Sequence, residues 1–290
     1  MKQVLTFDIG GTKIAHALVN QKGDFVSEVI KNPTPDSATE IRELFSKIIK
    51  DNYDNIDGVA FSTAGAVNNQ GTHITSFTGN MPDGYNQTDF PSLTDRPVLV
   101  ENDANSAAWA EFACGAAKGC SNAVVLAIGT GIGSGIIVNG QLLKGKSGAA
   151  GEMHFPIDSG HKRKCRGCGQ YDCFESFASG TGMETTAKNL WGDQATTYDV
   201  ISGCNKGDEQ AKHIFDEWQN YLIKGMIMLG NVFDPEKIVL SGSMAQFVEY
   251  DKVEKTVNSS ILTQPLQVCP AHFANNSGML GAAMLLLRKL

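Results

Sequence analysis

Three cysteines crowd into residues 165–173 as Cys165, Cys168 and Cys173, and His154 lies shortly before them. Three thiolates and one imidazole are the donor set of a closed structural zinc site, because they fill a tetrahedral shell and leave no position for a reactive water. His161 is a competing imidazole, and a disulfide or free thiols are the alternative to metal. The chain has seven cysteines, an odd number, and in a reducing compartment such a cluster reads better as metal ligands. Glu152 and Glu175 flank the segment. They are either surface glutamates or carboxylates that accept hydrogen bonds from substrate hydroxyls.

Two glycine-rich turns point to phosphate. In Asp8-Ile9-Gly10-Gly11-Thr12-Lys13 the glycines let backbone amides approach a phosphate, and the carboxylate can hold a hydrated divalent cation. An ordinary hairpin turn has the same composition. Gly129-Thr130-Gly131 supplies a second set of amides and a hydroxyl, and two such turns at equivalent places are a stronger signal than either alone. In Glu101-Asn102-Asp103-Ala104-Asn105, Asp103 can act as a general base towards a hydroxyl while Asn102 binds neighbouring hydroxyls. The alternative is that Asp103 only caps the helical stretch 107–112.

Each group follows an apolar run that must position it. Runs at 4–7, 14–19 and 25–30 read as a three-stranded meander around the first turn. Ser37-Ala38-Thr39-Glu40 has capping-box spacing, and Ile41, Leu44, Phe45, Ile48 and Ile49 then share one helical face. Short strands at 58–61 and 98–100 follow, and strands after a helix imply crossovers and an α/β layout. The run 123–128, its glycine turn, the strand 136–138 and the turn Asn139-Gly140 repeat the opening pattern. This reads as an internal duplication of a phosphate-gripping hairpin, not as a βα dinucleotide loop. Ile214, Phe215, Trp218, Tyr221, Leu222, Gly225, Met226 and Leu229 mark a long buried helix, and Ile238-Val239-Leu240 then enters Ser241-Gly242-Ser243. Residues 279–290 are again helical and apolar.

The 290 residues include 24 Lys or Arg and 31 Asp or Glu, a net charge of −7. An acidic balance argues against nucleic acid or an anionic membrane as the main partner, since both need a basic footprint. The run His161-Lys162-Arg163-Lys164-Cys165-Arg166 reads as a solvated loop. With 42% hydrophobic residues the chain can bury a sizeable core, and its length suggests two domains. No apolar run approaches the roughly 18–20 residues of a membrane span, and the opening run is cut short by Asp8, so a cytoplasmic protein is expected.

These motifs, with Gly148-Ala149-Ala150-Gly151-Glu152, Cys168-Gly169-Gln170-Tyr171-Asp172-Cys173-Phe174-Glu175, Ala178-Ser179-Gly180 and Gly278-Met279-Leu280-Gly281-Ala282-Ala283, run in the order seen in the ROK family of sugar kinases and repressors. The resemblance covers essentially the whole chain. It implies a two-domain actin-like, ribonuclease-H-like ATPase fold with duplicated phosphate-binding hairpins and a zinc-binding loop. Residues 1–117 are expected to form the smaller domain, with 278–290 packing back on it. Residues 118–277 would form the larger domain, carrying the nucleotide site and zinc loop.

By the same resemblance Asp103 is the catalytic base, and Asn102, Glu152, His154 and Glu175 contact sugar. Asn80 of Gly79-Asn80-Met81-Pro82, and Ala64 and Gly65 of Ser62-Thr63-Ala64-Gly65, line the sugar pocket. Asp8, Gly10, Gly11, Thr12, Lys13, Gly129, Thr130 and Gly131 hold the phosphates of ATP and its magnesium, with Gly242 beside the adenosine. The zinc is structural. Two departures stand out. The family reads Glu-x-Gly-His where this chain has Glu152-Met153-His154, one residue shorter, and Cys-x-Cys where Cys165 and Cys168 are separated by two residues. Whether His154 or His161 completes the metal set is open on this ground.

The family's repressors carry a DNA-binding domain ahead of the Asp-x-Gly-Gly-Thr segment, which here begins at Asp8, so an enzyme is expected. The alternative is a sugar-sensing regulator without that domain. An actin-like chaperone or filament protein would leave Asn102-Asp103 and the metal-loop glutamates unexplained. The expected reaction is transfer of the γ-phosphoryl group of ATP to the 6-hydroxyl of a hexose or N-acetylhexosamine. Residues 102–111 and Ser62-Thr63-Ala64-Gly65 resemble the N-acetylmannosamine kinase branch, with glucose and N-acetylglucosamine next. A homodimer is expected.

Overall fold

Two apolar runs separated by the first glycine turn pair as an antiparallel hairpin, β1 (Gln3–Ile9) with β2 (Lys13–Asn20). The computed structural model describes residues 1–76, 81–157, 160–273 and 276–290. After β2 come β3 (Ile30–Pro33), α1 (Ala38–Asn52), β4 (Gly58–Thr63), β5 (Ala66–Val67), β6 (Ile74–Ser76), β7 (Val98–Asn102) and α2 (Asp103–Cys114). The first sheet has the order β3-β2-β1-β4-β7, with β1, β4 and β7 mutually parallel. The near-continuous burial of β1 and β4 is what a parallel strand covered on both faces requires.

The third strand lies at 30–33, not at 25–30 as the apolar run suggests. Phe25 makes only an isolated bridge to Val19. The Leu18 N–H is taken by the Ser27 hydroxyl at 2.9 Å, so the ladder breaks and re-forms where β3 meets 13–16 of β2. The helix α1 is capped by Ser37, the first residue of the predicted box: Ser37 Oγ accepts the Glu40 N–H, and the Glu40 carboxylate accepts from the Ser37 hydroxyl at 2.9 Å. Ile41, Phe45, Ile48 and Ile49 are buried, and Phe45 meets Phe7 and Phe61 at ring distances of 5.2 Å each.

The second half supplies β8 (Ala123–Ile128), β9 (Ile132–Val138), β10 (Gln141–Leu142), α3 (Glu175–Ala178), α4 (Gly180–Trp191), α5 (Thr197–Asn205) and α6 (Glu209–Phe233). It ends with β11 (Lys237–Ser241), α7 (Tyr250–Asn258), β12 (Gln267–Pro270) and α8 (Ser277–Leu287). Its sheet has the order β10-β9-β8-β11-β12, with β8, β11 and β12 parallel. No helix among the described residues is long and apolar enough to cross a membrane.

Contacts divide the chain into two units. The first is Met1–Gly119 with Gly135–Gly151 and His272–Leu290, and the second is Cys120–Ser134 with Glu152–Ala271. Within the first, α8 packs on α2 and on the sheet, and Thr6 Oγ1 donates to the Met279 carbonyl at 2.8 Å. The buried carboxylate of Glu111 accepts the N–H groups of Ala116, His272 and Phe273 at 2.8, 3.0 and 2.7 Å. One side chain therefore anchors the segment that leaves the unit and the segment that returns to it.

Candidate active site and metal-binding cluster

Strand register gathers the first set of residues. Asp8 of β1 pairs with Ser62 of β4, which pairs with Glu101 of β7, and Ile9, Thr63 and Asn102 share the next row. The loops that follow present Gly10, Gly11, Thr12 and Lys13, then Ala64 and Gly65, then Asp103. Open α/β sheets bind ligands at this carboxyl edge. The first turn is closed by the Gly10 N–H on the Lys13 carbonyl at 3.0 Å, and Thr34 Oγ1 donates to the Gly10 carbonyl at 2.6 Å. Burial holds the Asp8 carboxyl above its ordinary range, against the opposing pull of the Ser62 hydroxyl and the Lys13 ammonium. Asn102 Nδ2 donates to the Gly65 carbonyl at 3.0 Å, tying two of the loops together.

Asp103 is the first residue of α2 and not its cap. The cap is Asn102, whose Oδ1 accepts the Asn105 N–H at 3.0 Å, and this is why the helix starts at 103 and not at 107. Asp103 is exposed, and its Oδ1 accepts the Ala104 N–H at 2.8 Å. A helix N-terminus favours the negative charge that a base must carry.

Beneath Asp103 lies a support that the sequence reading passed over. Glu101 is 2% exposed; its Oε1 accepts the Asn102 N–H at 3.0 Å and Asn105 Nδ2 at 3.1 Å. Its Oε2 accepts from Lys144 Nζ at 2.8 Å, and Lys144 also donates to the Asn68 carbonyl at 3.0 Å. The available signal was an acidic residue ending the apolar strand 98–100, which needs a cation once buried. The Thr63 hydroxyl is likewise held by the buried Tyr85 phenol at 2.8 Å.

The second set converges on the turn after β8. The Gly129 N–H bonds the Gly131 carbonyl at 2.9 Å, and the Gly180 N–H at the start of α4 bonds the Gly129 carbonyl at 2.8 Å. The Ile132 N–H donates to Glu175 Oε2 at 3.0 Å. Gly242, at φ +86°, opens the turn after β11, whose Met244 N–H bonds the Ile128 carbonyl at 3.0 Å. Thr130 is exposed at the tip.

The ligand atoms of His154, Cys165, Cys168 and Cys173 all lie within 4.8 Å of one another. His154 faces the thiols through Nδ1, 3.4 Å from Cys173 Sγ and 3.8 Å from Cys165 Sγ, while its Nε2 stands 3.6 Å from Glu152 Oε2. A tetrahedral zinc with bonds of about 2.0–2.3 Å spaces its donors roughly 3.3–3.8 Å apart, the range of the two His154–thiol distances, and the chemistry of the donor set suits such an ion. Burial raises the Cys165 thiol and pushes Cys173 up to about 12. At Cys168 burial is outweighed by the Gln170 amide and the neighbouring thiols, and the value falls. The competing imidazole is engaged elsewhere: His161 Nε2 lies 3.3 Å from Glu217 Oε1. Asn80 lies outside the described residues.

A carboxylate and a glycine turn at the carboxyl edge of one sheet, with a second sheet of like strand order carrying a second glycine turn, are consistent with an actin-like ATPase. The ROK family model matches residues 4–289, and the chain belongs to that family. An N-acetylmannosamine kinase of Yersinia pseudotuberculosis serotype O:1b is 30% identical over 297 residues, 98% of each chain. The ROK hexokinase of Thermus thermophilus superposes with a TM-score of 0.86 at 27% identity, over 99% of this chain and 98% of that one. A ROK family glucokinase of Streptomyces griseus, solved with glucose and AMPPNP, gives 0.75 at 26% identity over 99% of both chains.

Proposed function

We propose that this protein is an ATP-dependent sugar kinase acting on the 6-hydroxyl of a hexose or N-acetylhexosamine, with N-acetylmannosamine favoured over glucose and N-acetylglucosamine. The observation that carries the reading is Asp103, an exposed carboxylate fixed at the first position of α2 beside Asn102, at the edge where β1, β4 and β7 end. Membership of the ROK family and the kinase names of its relatives support the reaction class.

In this reading the sugar hydroxyl oxygen attacks the γ-phosphorus in line. The bond to the β–γ bridging oxygen breaks, ADP leaves with the electron pair, and the hydroxyl proton passes to Asp103. Asn102, Ala64, Gly65, Asn80, Glu152, His154 and Glu175 bind the sugar. His154 turns Nδ1 to the thiols, which leaves its Nε2 edge for that contact. The two hairpin turns, Asp8–Lys13 and 129–131, hold phosphates through backbone amides, with Gly242 beside the adenosine. Magnesium, bound with the nucleotide, supplies charge neutralisation, and Asp8 offers it a hard oxygen donor. A zinc on His154, Cys165, Cys168 and Cys173 is structural, since four donors close its shell. The same reading makes the protein a cytoplasmic homodimer.

The test is ADP formation measured without sugar and with glucose, mannose, fructose, N-acetylglucosamine and N-acetylmannosamine. Sugar-dependent turnover, highest with N-acetylmannosamine, is expected. Sugar binding without ATP consumption would instead identify a sensor and overturn the reading.

A further inference from the structure

We infer that Glu175 is a positioning residue that couples the metal-binding cluster to the turn 129–132, so that the state of the metal site sets nucleotide affinity as well as sugar affinity. The inference rests on the reading that this turn holds ATP phosphates. Glu175 stands two positions after the metal-cluster residue Cys173, and its carboxylate reaches in two directions. Oε2 accepts the Ile132 N–H at 3.0 Å, and Oε1 lies 3.6 Å from Cys165 Sγ.

The surroundings are shaped around that carboxylate. A Cβ at Gly131 would stand 2.6 Å from Oε2, and one at Gly167 would stand 3.0 Å from Oε1 and 2.7 Å from His154 Cε1. Glycine at both places is what lets the turn and the cysteine loop close on the same side chain. The link between Cys173 and Glu175 is packed into the core. Phe174 is fully buried, stacks on Phe155 at 4.9 Å, and fills the space where a Cβ of Gly225 on α6 would stand 2.2 Å from its ring. Downstream, Trp218 Nε1 donates to the Ala178 carbonyl at 2.8 Å, and the Gly180 N–H grips the Gly129 carbonyl. The segment 173–180 therefore carries a cysteine of the cluster and touches both ends of the glycine turn, Ile132 through Glu175 and Gly129 through Gly180. Ordering the thiols around an ion fixes Cys173, Cys173 fixes Glu175, and Glu175 fixes the Ile132 amide.

The experiment measures the Kd of a non-hydrolysable magnesium–ATP analogue by calorimetry, with zinc content determined on each sample. The samples are the zinc-loaded wild type, Glu175→Ala, Gly131→Ala and Thr130→Ala. Glu175→Ala should weaken the analogue about tenfold or more while zinc is retained, the range for losing a charge-assisted hydrogen bond. Gly131→Ala displaces the same carboxylate without touching the metal donors; because Gly131 itself belongs to the phosphate turn, its diagnostic readout is chelation, which should add as little there as in Glu175→Ala and keeps the test open if Glu175→Ala also loses zinc. Chelation should weaken binding to the wild type by a similar factor and add little in Glu175→Ala. If the analogue binds both variants within about twofold of the wild type, or chelation weakens Glu175→Ala as much as the wild type, the coupling is refuted. If Thr130→Ala also leaves the affinity unchanged, the assignment of the turn to phosphate fails with it. Loss with Thr130→Ala alone sinks only the coupling.

Discussion

The two glycine turns leave the central strands of two sheets with the same strand order, yet they are built from different resources. The turn after β1 carries its charges in its own sequence: Asp8 stands before it, Lys13 after it, and its closing bond runs from Gly10 to Lys13. The turn after β8 has no ionisable residue of its own, and takes its carboxylate from Glu175, 43 positions later, on the segment that bears Cys173. Equal topology does not give equal chemistry. A turn with local charge is sensitive to pH and to its own burial, whereas a turn with an imported carboxylate is sensitive to whatever holds the donor segment.

The largest effect that separates the two regions lies in the support below the first one. Lys144→Met leaves Glu101 buried with its charge unbalanced, and should cost about 3–5 kcal/mol in urea unfolding. Lys144→Arg should recover most of that loss. Destabilisation below about 1 kcal/mol would mean that the first region does not depend on this ion pair.

A steric contrast sharpens the comparison directly. A Cβ at Gly10 would meet the Lys13 carbonyl of its own turn at 3.3 Å, whereas one at Gly131 meets the imported Glu175 carboxylate at 2.6 Å. Gly131→Ala should therefore weaken nucleotide affinity about tenfold, and Gly10→Ala by less. Equal losses in titrations of the two variants would erase the distinction.

The smallest effect is a pH dependence confined to the first turn. Burial raises the Asp8 carboxyl above the ordinary 3.8, so the native state holds this proton more tightly than the unfolded chain does. Stability from this group is present below the unfolded value and is lost as pH rises through the raised native value. Asp8→Asn should then raise Tm at neutral pH, with the two melting curves converging in acid. A lower Tm at neutral pH for the folded variant would show that the charge is compensated.

Much of this was legible in the residues, and what was not has physical reasons. The amphipathic face of α1 and its Ser37 cap are local features, as are the runs that became β4, β7 and β8. The His154, Cys165, Cys168 and Cys173 set was visible because thiols at that spacing have few other uses. Periodicity misplaced the third strand, since it could not see that the Ser27 side chain would take a backbone donor on β2. It also started α2 late, because Asn102 and Asp103 compete for the cap and only geometry shows which wins. Lys144 carries no local signal until the fold brings Glu101 to it, and Glu175 reads as one of two metal-loop carboxylates until Ile132 points at it.

The central claim is that Asp103 takes the proton of the sugar hydroxyl during phosphoryl transfer. Its most direct test is kcat of Asp103→Asn with the preferred hexose, measured beside a thermal melt and nucleotide affinity. The amide keeps the shape and the bond to the Ala104 N–H but cannot accept a proton at neutral pH, so kcat should fall about 10²- to 10⁴-fold with the melt and nucleotide affinity preserved. A folded variant that turns over at close to the wild-type rate would contradict the claim.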